Sequence, residues 1–220
     1  MARTAPAEIA SRLRRRLAGV GVLAAMVVVT GCASLSREEC LRGDWAAIGY
    51  SDGLHGRSQA RLGDHFEACA DHGVSPNPTA YRTGWASGVQ VYCQPGNGFD
   101  LGASGRTYRG VCPPSLEGAF LSAYRAGRGL YEHRQAVEAL ERDLDRLRRD
   151  LDRVADDMHA REDRLAAGDL DPGAREQLHV QLRRLAEQQG TLRERRTHLR
   201  RDLDAARREL EAYRSHVRFR

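Results

Sequence analysis

The sequence predicts a mainly α protein: a small disulfide-pinned helical head with a glycine-rich loop, running into a long antiparallel coiled-coil helical hairpin. Three observations predict it. Four cysteines follow an amino-terminal export pattern, aromatic residues between them lead into glycines four apart, and from Val137 onward apolar residues recur at alternating spacings of three and four. The expected division is a signal peptide over 1–31, a head over 32–114 and a long helix plus hairpin over 115–220.

The amino terminus carries Arg3, Arg12, Arg14, Arg15 and Arg16, then the apolar run Leu17 to Val29. A run of about 13 residues fits the core of an export signal and falls short of the ~20 that a membrane-spanning helix needs. It ends Val29-Thr30-Gly31-Cys32, which resembles the bacterial lipobox, so cleavage before Cys32 and acylation of its sulfur are expected. The competing reading is a plain membrane anchor in which Cys32 is incidental. Acyl chains contribute ~0.8 kcal/mol per buried methylene, so two or three of them hold a protein to a membrane effectively permanently. Ala33 rather than an aspartate follows Cys32, a pattern that resembles delivery to the outer membrane. The expected location is the bacterial cell envelope, lipid-anchored and facing the periplasm.

Charge points the same way. The formal net charge is +5, but the first 32 residues hold five arginines and one acid, so the remainder is close to neutral. A basic groove for nucleic acid has no charge surplus behind it, and no nucleic-acid partner is expected. With 41% hydrophobic residues, 6% aromatics and a mean hydropathy of −0.59, the chain has little material for a deep core.

With Cys32 set aside, Cys40, Cys69, Cys93 and Cys112 remain, an even number in a chain bound for an oxidising compartment. Two disulfides are expected. Zinc is the rival, but no C-x-x-C pair is present, and neither metal nor cofactor is expected. Three connectivities are open. Cys40 with Cys69 and Cys93 with Cys112 is favoured, because sequential pairing closes two loops of roughly 20 to 30 residues without threading, each worth ~3 kcal/mol.

Trp45 leads into Gly49 and Gly53, Tyr81 into Gly84 and Gly88, and Tyr124 into Gly127. On a helix, glycines at i and i+4 share one face, which suggests short helices packed through smooth surfaces. Each costs ~1 kcal/mol of helix propensity, so tertiary contact must hold them. Asp44 and Asn77-Pro78 read as helix starts, and Gly73 as the stop of a helix over Arg61 to His72. Between Cys93 and Cys112 lie five glycines, Gly96, Gly98 (in Asn97-Gly98), Gly102, Gly105 and Gly110, and the stretch reads as a pinned Ω-loop. Phe99 and Tyr108 within it make a recognition loop the functional alternative.

Several stretches resemble a proteobacterial envelope lipoprotein family classed as a domain of unknown function: the lipobox, Tyr81-x-x-Gly84, Tyr92-Cys93, Tyr108-x-Gly110-x-Cys112-Pro113, and the run Phe120, Tyr124, Gly127, Tyr131. The resemblance covers roughly residues 32 to 135. It implies an envelope address and carries no activity, cofactor or catalytic residue. The tail beyond is an elaboration.

That tail holds two seams. The first is Val137, Leu140, Leu144, Leu147, Leu151, Val154, Met158, Arg161 and Leu165; the second runs from Leu178 through Leu182, Leu185, Gln189, Leu192, Arg196, Leu199, Leu203, Ala206, Leu210 and Tyr213 to Val217. Gly168 reads as a carboxy-terminal cap, and Asp171-Pro172 as the start of the next helix. So short a connection predicts an antiparallel hairpin. With the turn centred near residue 170, residue i faces about 340 − i, setting Val137 against Leu203, Leu130 against Leu210 and Tyr213 against Gly127. The first helix then starts near Ser115. Pairs such as Glu138 with Arg142 and Asp157 with Arg161 make the charge run a solvated face.

Three function classes follow. The leading expectation is an interaction or spacer protein, held at the membrane by its lipid and meeting an envelope protein partner through the hairpin. The second is a periplasmic enzyme using Asp52, His55, Asp64, His65, Asp71 or His72, although no H-E-x-x-H or facial-triad pattern is present. A glycan or small-ligand binder using Trp45, Trp85, Phe99 and Tyr108 is the third; the bland alternative is that these rings fill a thin core.

Overall fold

The computed structural model describes residues 34–217, and the expected signal peptide and Cys32 lie outside them. The described residues form seven helices and no strand: α1 (Arg37–Arg42), α2 (Trp45–Leu54), α3 (Arg61–Ala70), α4 (Pro78–Tyr92), α5 (Pro95–Ala103), α6 (Pro114–Ala166) and α7 (Pro172–His216). They sort into two compact units, one containing α1 and α3, the other α2 and α4 to α7.

In the first unit, α1 was not legible beforehand. A capping box starts it, with the Ser36 hydroxyl accepting from the Glu39 amide and the Glu39 carboxylate accepting from the Ser36 amide, and Gly43 at φ +66° ends it. Those bonds from Ser36, backbone first, hold the Glu39 carboxyl below its ordinary pKa. Helix α3 stops at Ala70, two residues before the expected end, and Gly73 follows at φ +67°. The Cys40–Cys69 disulfide ties α1 to α3.

The second unit contains one helix pair made twice. Helices α2 and α4 run parallel, with Gly49 against Tyr81 and Gly53 against Trp85; helices α5 and α6 repeat this with Gly98 against Phe120 and Gly102 against Tyr124. A Cβ at Gly49 would stand 2.0 Å from the Tyr81 carbonyl oxygen, and one at Gly127 would stand 2.1 Å from that of Phe99. No side chain fits there, so the backbones themselves are in contact. The glycine faces read from the sequence are thus real, and each meets backbone rather than a ring.

The sequence repeats with the structure. Gly49-Tyr50-x-x-Gly53-x-x-Gly56-Arg57 matches Gly98-Phe99-x-x-Gly102-x-x-Gly105-Arg106, and Tyr81-x-x-Gly84-Trp85-x-x-Gly88-x-x-x-Tyr92 matches Phe120-x-x-Ala123-Tyr124-x-x-Gly127-x-x-x-Tyr131. One substitution across the repeats is concerted. Tyr81 donates its hydroxyl to the buried Asp52 carboxylate at 2.8 Å, whereas the equivalent residues are Phe120 and Leu101, both buried and apolar. The second repeat dispenses with the polar pair and its partner together, leaving no buried group unsatisfied. The two repeats share a core of Val89, Tyr92, Cys93, Leu101, Cys112 and Phe120.

Within this core Cys93 is bonded to Cys112, so the sequential pairing is the one present. The expected loop between them is only half a loop. Residues Pro95–Ala103 are helical, because proline opens the helix and the glycine face is held against α6; residues 104–113 remain irregular.

Helix α6 begins at Pro114 and continues unbroken into the arm, and α7 returns antiparallel to it. Asp171 caps α7 by accepting from the Gly173 and Ala174 amides, and Gly168 takes φ +78° after α6 ends. Leu130, Val137, Leu203 and Leu210 form one buried cluster, in the register expected from the seams. One contact differs: the Tyr213 ring lies over Gly129 rather than Gly127, with its hydroxyl donating to the Ala126 carbonyl at 3.0 Å. Two residues span roughly 200° of helix, so Gly127 faces α5 while Gly129 faces α7. Ion pairs Arg142–Glu138 and Arg161–Asp157 lie along α6, and Arg207 of α7 reaches Glu141 at 2.7 Å.

The seam opens where its polar entries fall. A cavity of about 390 Å³ is lined by Leu144, Leu151 and Arg196 together with Asp145, Arg148, Asp152 and Arg200. Arg196→Leu should therefore stabilise the chain by about 1 kcal/mol by adding apolar burial, and Leu144→Arg should destabilise it. Thermal melting of both variants by circular dichroism checks this. An unchanged or lowered melt for Arg196→Leu would mean that the arginine methylenes already fill the seam.

Candidate functional site

Each repeat's first helix ends in the same Gly-Arg turn. Gly56 donates to the Gly53 carbonyl and Arg57 to that of Asp52; Gly105 donates to Gly102 and Arg106 to Leu101. These are paired Schellman closures, with Gly56 at φ +64° and Gly105 at φ +73°. The rings of Tyr92 and Tyr131 pack against the two glycines, where a Cβ would come within 2.3 Å and 2.6 Å of ring carbon. The arginine carbonyls are held alike: that of Arg57 accepts from the Trp85 indole at 2.8 Å, and that of Arg106 from the Tyr124 hydroxyl at 3.0 Å.

Both turns open onto one cavity of about 410 Å³. The first turn supplies His55, Gly56 and Arg57, the second Gly105, Arg106, Thr107 and Arg109, and Tyr92 and Leu101 complete the lining. Its lining includes three arginines and a histidine and no acidic residue. Arg106 donates to the Ser104 hydroxyl at 3.0 Å, and Arg128 braces the second turn from outside by donating to the Gly105 carbonyl while lying 5.2 Å from the Tyr131 ring centroid. Tyr92 is 8% exposed. Burial raises its phenol pKa above 10.0, and the charges of Arg106 and Arg109 pull the other way. His55 bonds through Nδ1 to the Ser51 carbonyl at 2.7 Å, leaving Nε2 as its second nitrogen.

The aromatics expected as binding residues are used for packing. Trp45 is buried, Trp85 packs on the shared core, and Phe99 packs on the Leu130 cluster. Tyr108 is no exposed recognition ring. It stacks 4.9 Å from Phe120, accepts from the Cys112 amide and donates to Glu117. Burial raises its pKa, opposed by the Cys112 amide and reinforced by Glu117. A partially covered ring whose hydroxyl has two partners bridges the pinned segment to α6 and offers little to a ligand.

The acid and histidine candidates are divided in role. Asp52 accepts from Tyr81, and His65 is buried with Nδ1 2.8 Å from the Ser34 hydroxyl. Asp64, Asp71 and His72 are exposed. Among the described residues no group of three His, Cys, Asp or Glu side chains could hold a metal ion. Of these candidates only His55 lines the cavity. The arginines were missed. The signal that could have found them is the repeated Gly-aromatic-x-x-Gly-x-x-Gly-Arg, visible once residues 49–57 are set against 98–106.

Residues 44–129 match a family described as protein of unknown function (DUF2799). The matched stretch contains both Gly-Arg turns and ends short of the paired arm. No curated protein and no solved structure matches the chain.

Proposed function

We propose that this is a lipid-anchored protein of the bacterial envelope, acylated on Cys32 at the periplasmic face of the outer membrane, whose helical arm spaces or docks a protein partner. The arm carries this reading. Helix α7 has 45 residues, which at 1.5 Å per residue gives about 65–70 Å of reach. Its apolar seam is satisfied within the hairpin, so what it offers outward is length and a mixed-charge face. Among the described residues no helix is long and apolar enough to cross a membrane, and attachment in this reading comes from the acyl chains. The lipobox resemblance supports the address.

One experiment tests both halves. A photocrosslinking residue placed at Ala167, in the hairpin turn, should capture a defined envelope protein in cells, and mass spectrometry of the membrane-extracted chain should find an acylated Cys32. No capture above the level of a probe on the exposed Glu38 would remove the docking role, and a mature chain retaining residues 1–31 would remove the anchor. The small-ligand reading is favoured by a different observation, the arginine-lined cavity.

A further inference from the structure

We propose that the cavity between the two Gly-Arg turns binds a phosphoryl group, with Arg57, Arg106 and Arg109 as its cationic wall and the Tyr92 hydroxyl as a neutral donor. Duplication built this site. Arg57 and Arg106 occupy equivalent places in the two repeats, each directly after a left-handed glycine and each held by a hydrogen bond to its carbonyl. The turns therefore fix the backbones of two arginines that line one cavity, and Arg109 adds a third.

Charge is the first argument. Some arginines of the long helices lie beside acids, as at Arg128–Glu132, Arg142–Glu138 and Arg207–Glu141. Among the described residues Arg57, Arg106 and Arg109 pair with no carboxylate, and none lines the cavity. Three uncompensated guanidinium groups around one concavity repel each other, and an anion removes that repulsion.

Tyr92 is the second and independent argument. It is nine-tenths buried, yet its hydroxyl has no hydrogen-bond partner among the described residues and it borders the cavity. The oxygen itself is open to solvent at the cavity, where a ligand acceptor can take the place of water. Its aromatic body belongs to the core, packed 5.4 Å from Phe120, while the hydroxyl is left for whatever enters. Multiple donors around a compact space suit the three oxygens of a phosphomonoester better than a single carboxylate. A volume of about 410 Å³ admits the phosphoryl group with a small polar body attached.

The phosphoryl group has two sources, a soluble metabolite or a lipid headgroup, and the test separates them. The full chain in neutral detergent is titrated by calorimetry with glycerol 3-phosphate and, separately, with short-chain phosphatidic acid below its micelle concentration; glycerol is the uncharged control. Saturable binding of either phosphate probe but not of glycerol is expected, and the better probe identifies the source. Arg57→Gln with Arg106→Gln should weaken it at least tenfold. Tyr92→Phe, which keeps the ring and removes only the hydroxyl, should weaken it severalfold with an unchanged melting temperature. Absence of saturable binding by both probes at millimolar concentration overturns the proposal, as does equal affinity in the arginine double variant.

Discussion

Gly84→Ala is expected to cost about 3 kcal/mol of stability or more, although the same change at Gly118 should stabilise the chain. A Cβ at Gly84 would stand 1.9 Å from the carbonyl oxygen of Ala46, while one at Gly118 meets nothing within 4 Å. Ordinary van der Waals contact requires well over 3 Å, so α2 and α4 would have to separate by more than about 1 Å. That separation loosens every contact between them, including the Tyr81–Asp52 hydrogen bond and the approach of Gly53 and Gly88 to the opposite backbone. Gly118 lies exposed on α6, where alanine gains only the helix propensity that glycine lacks, about 0.5–1 kcal/mol. Urea denaturation of the two variants decides it. A Gly84→Ala protein within 1 kcal/mol of the parent would show that the helices are not in backbone contact.

Loss of the Cys93–Cys112 bridge is the second large effect. It spans 19 residues, and closing a loop of that length in the unfolded chain corresponds to about 3 kcal/mol. Both cysteines belong to the core shared by the two repeats, so Cys93→Ala with Cys112→Ala also removes packed sulfur from beside Phe120. The double variant should melt well below the parent in the absence of reductant, and reductant should lower the parent's melt further than the variant's, which has only Cys40–Cys69 left to lose. Coincident melts of parent and variant under oxidising conditions would show that the bridge adds no stability. The cavity shares Tyr92 and Leu101 with this core, so its shape should degrade with the bridge.

Legibility followed the range of the interaction. The arm was readable almost residue by residue: every seam position from Val137 to Leu165 and from Leu178 to Val217 is buried or half-buried, and the turn lies between Gly168 and Asp171. Heptad periodicity is written in neighbouring residues, and an antiparallel partner that follows at once leaves only the turn to be placed. The sequential disulfides were readable for a similar reason, since short loops leave few ways to close.

The head was legible only in part. Its glycine faces could be seen, but a glycine carries no side chain that names its partner. Pairing α2 with α4 across an intervening helix, in parallel, is a decision made some 30 residues away in sequence. For the same reason Pro95–Ala103 reads as a loop in isolation and is a helix in place, where contact with α6 offsets the propensity its glycines lack. The sequence by itself determined the arm and its register and favoured the cysteine pairs, because each is encoded locally. Only the tertiary structure decided that Arg57 and Arg106 face one cavity and that Trp45, Trp85 and Tyr108 serve packing, because both depend on which backbones the glycines allow to touch.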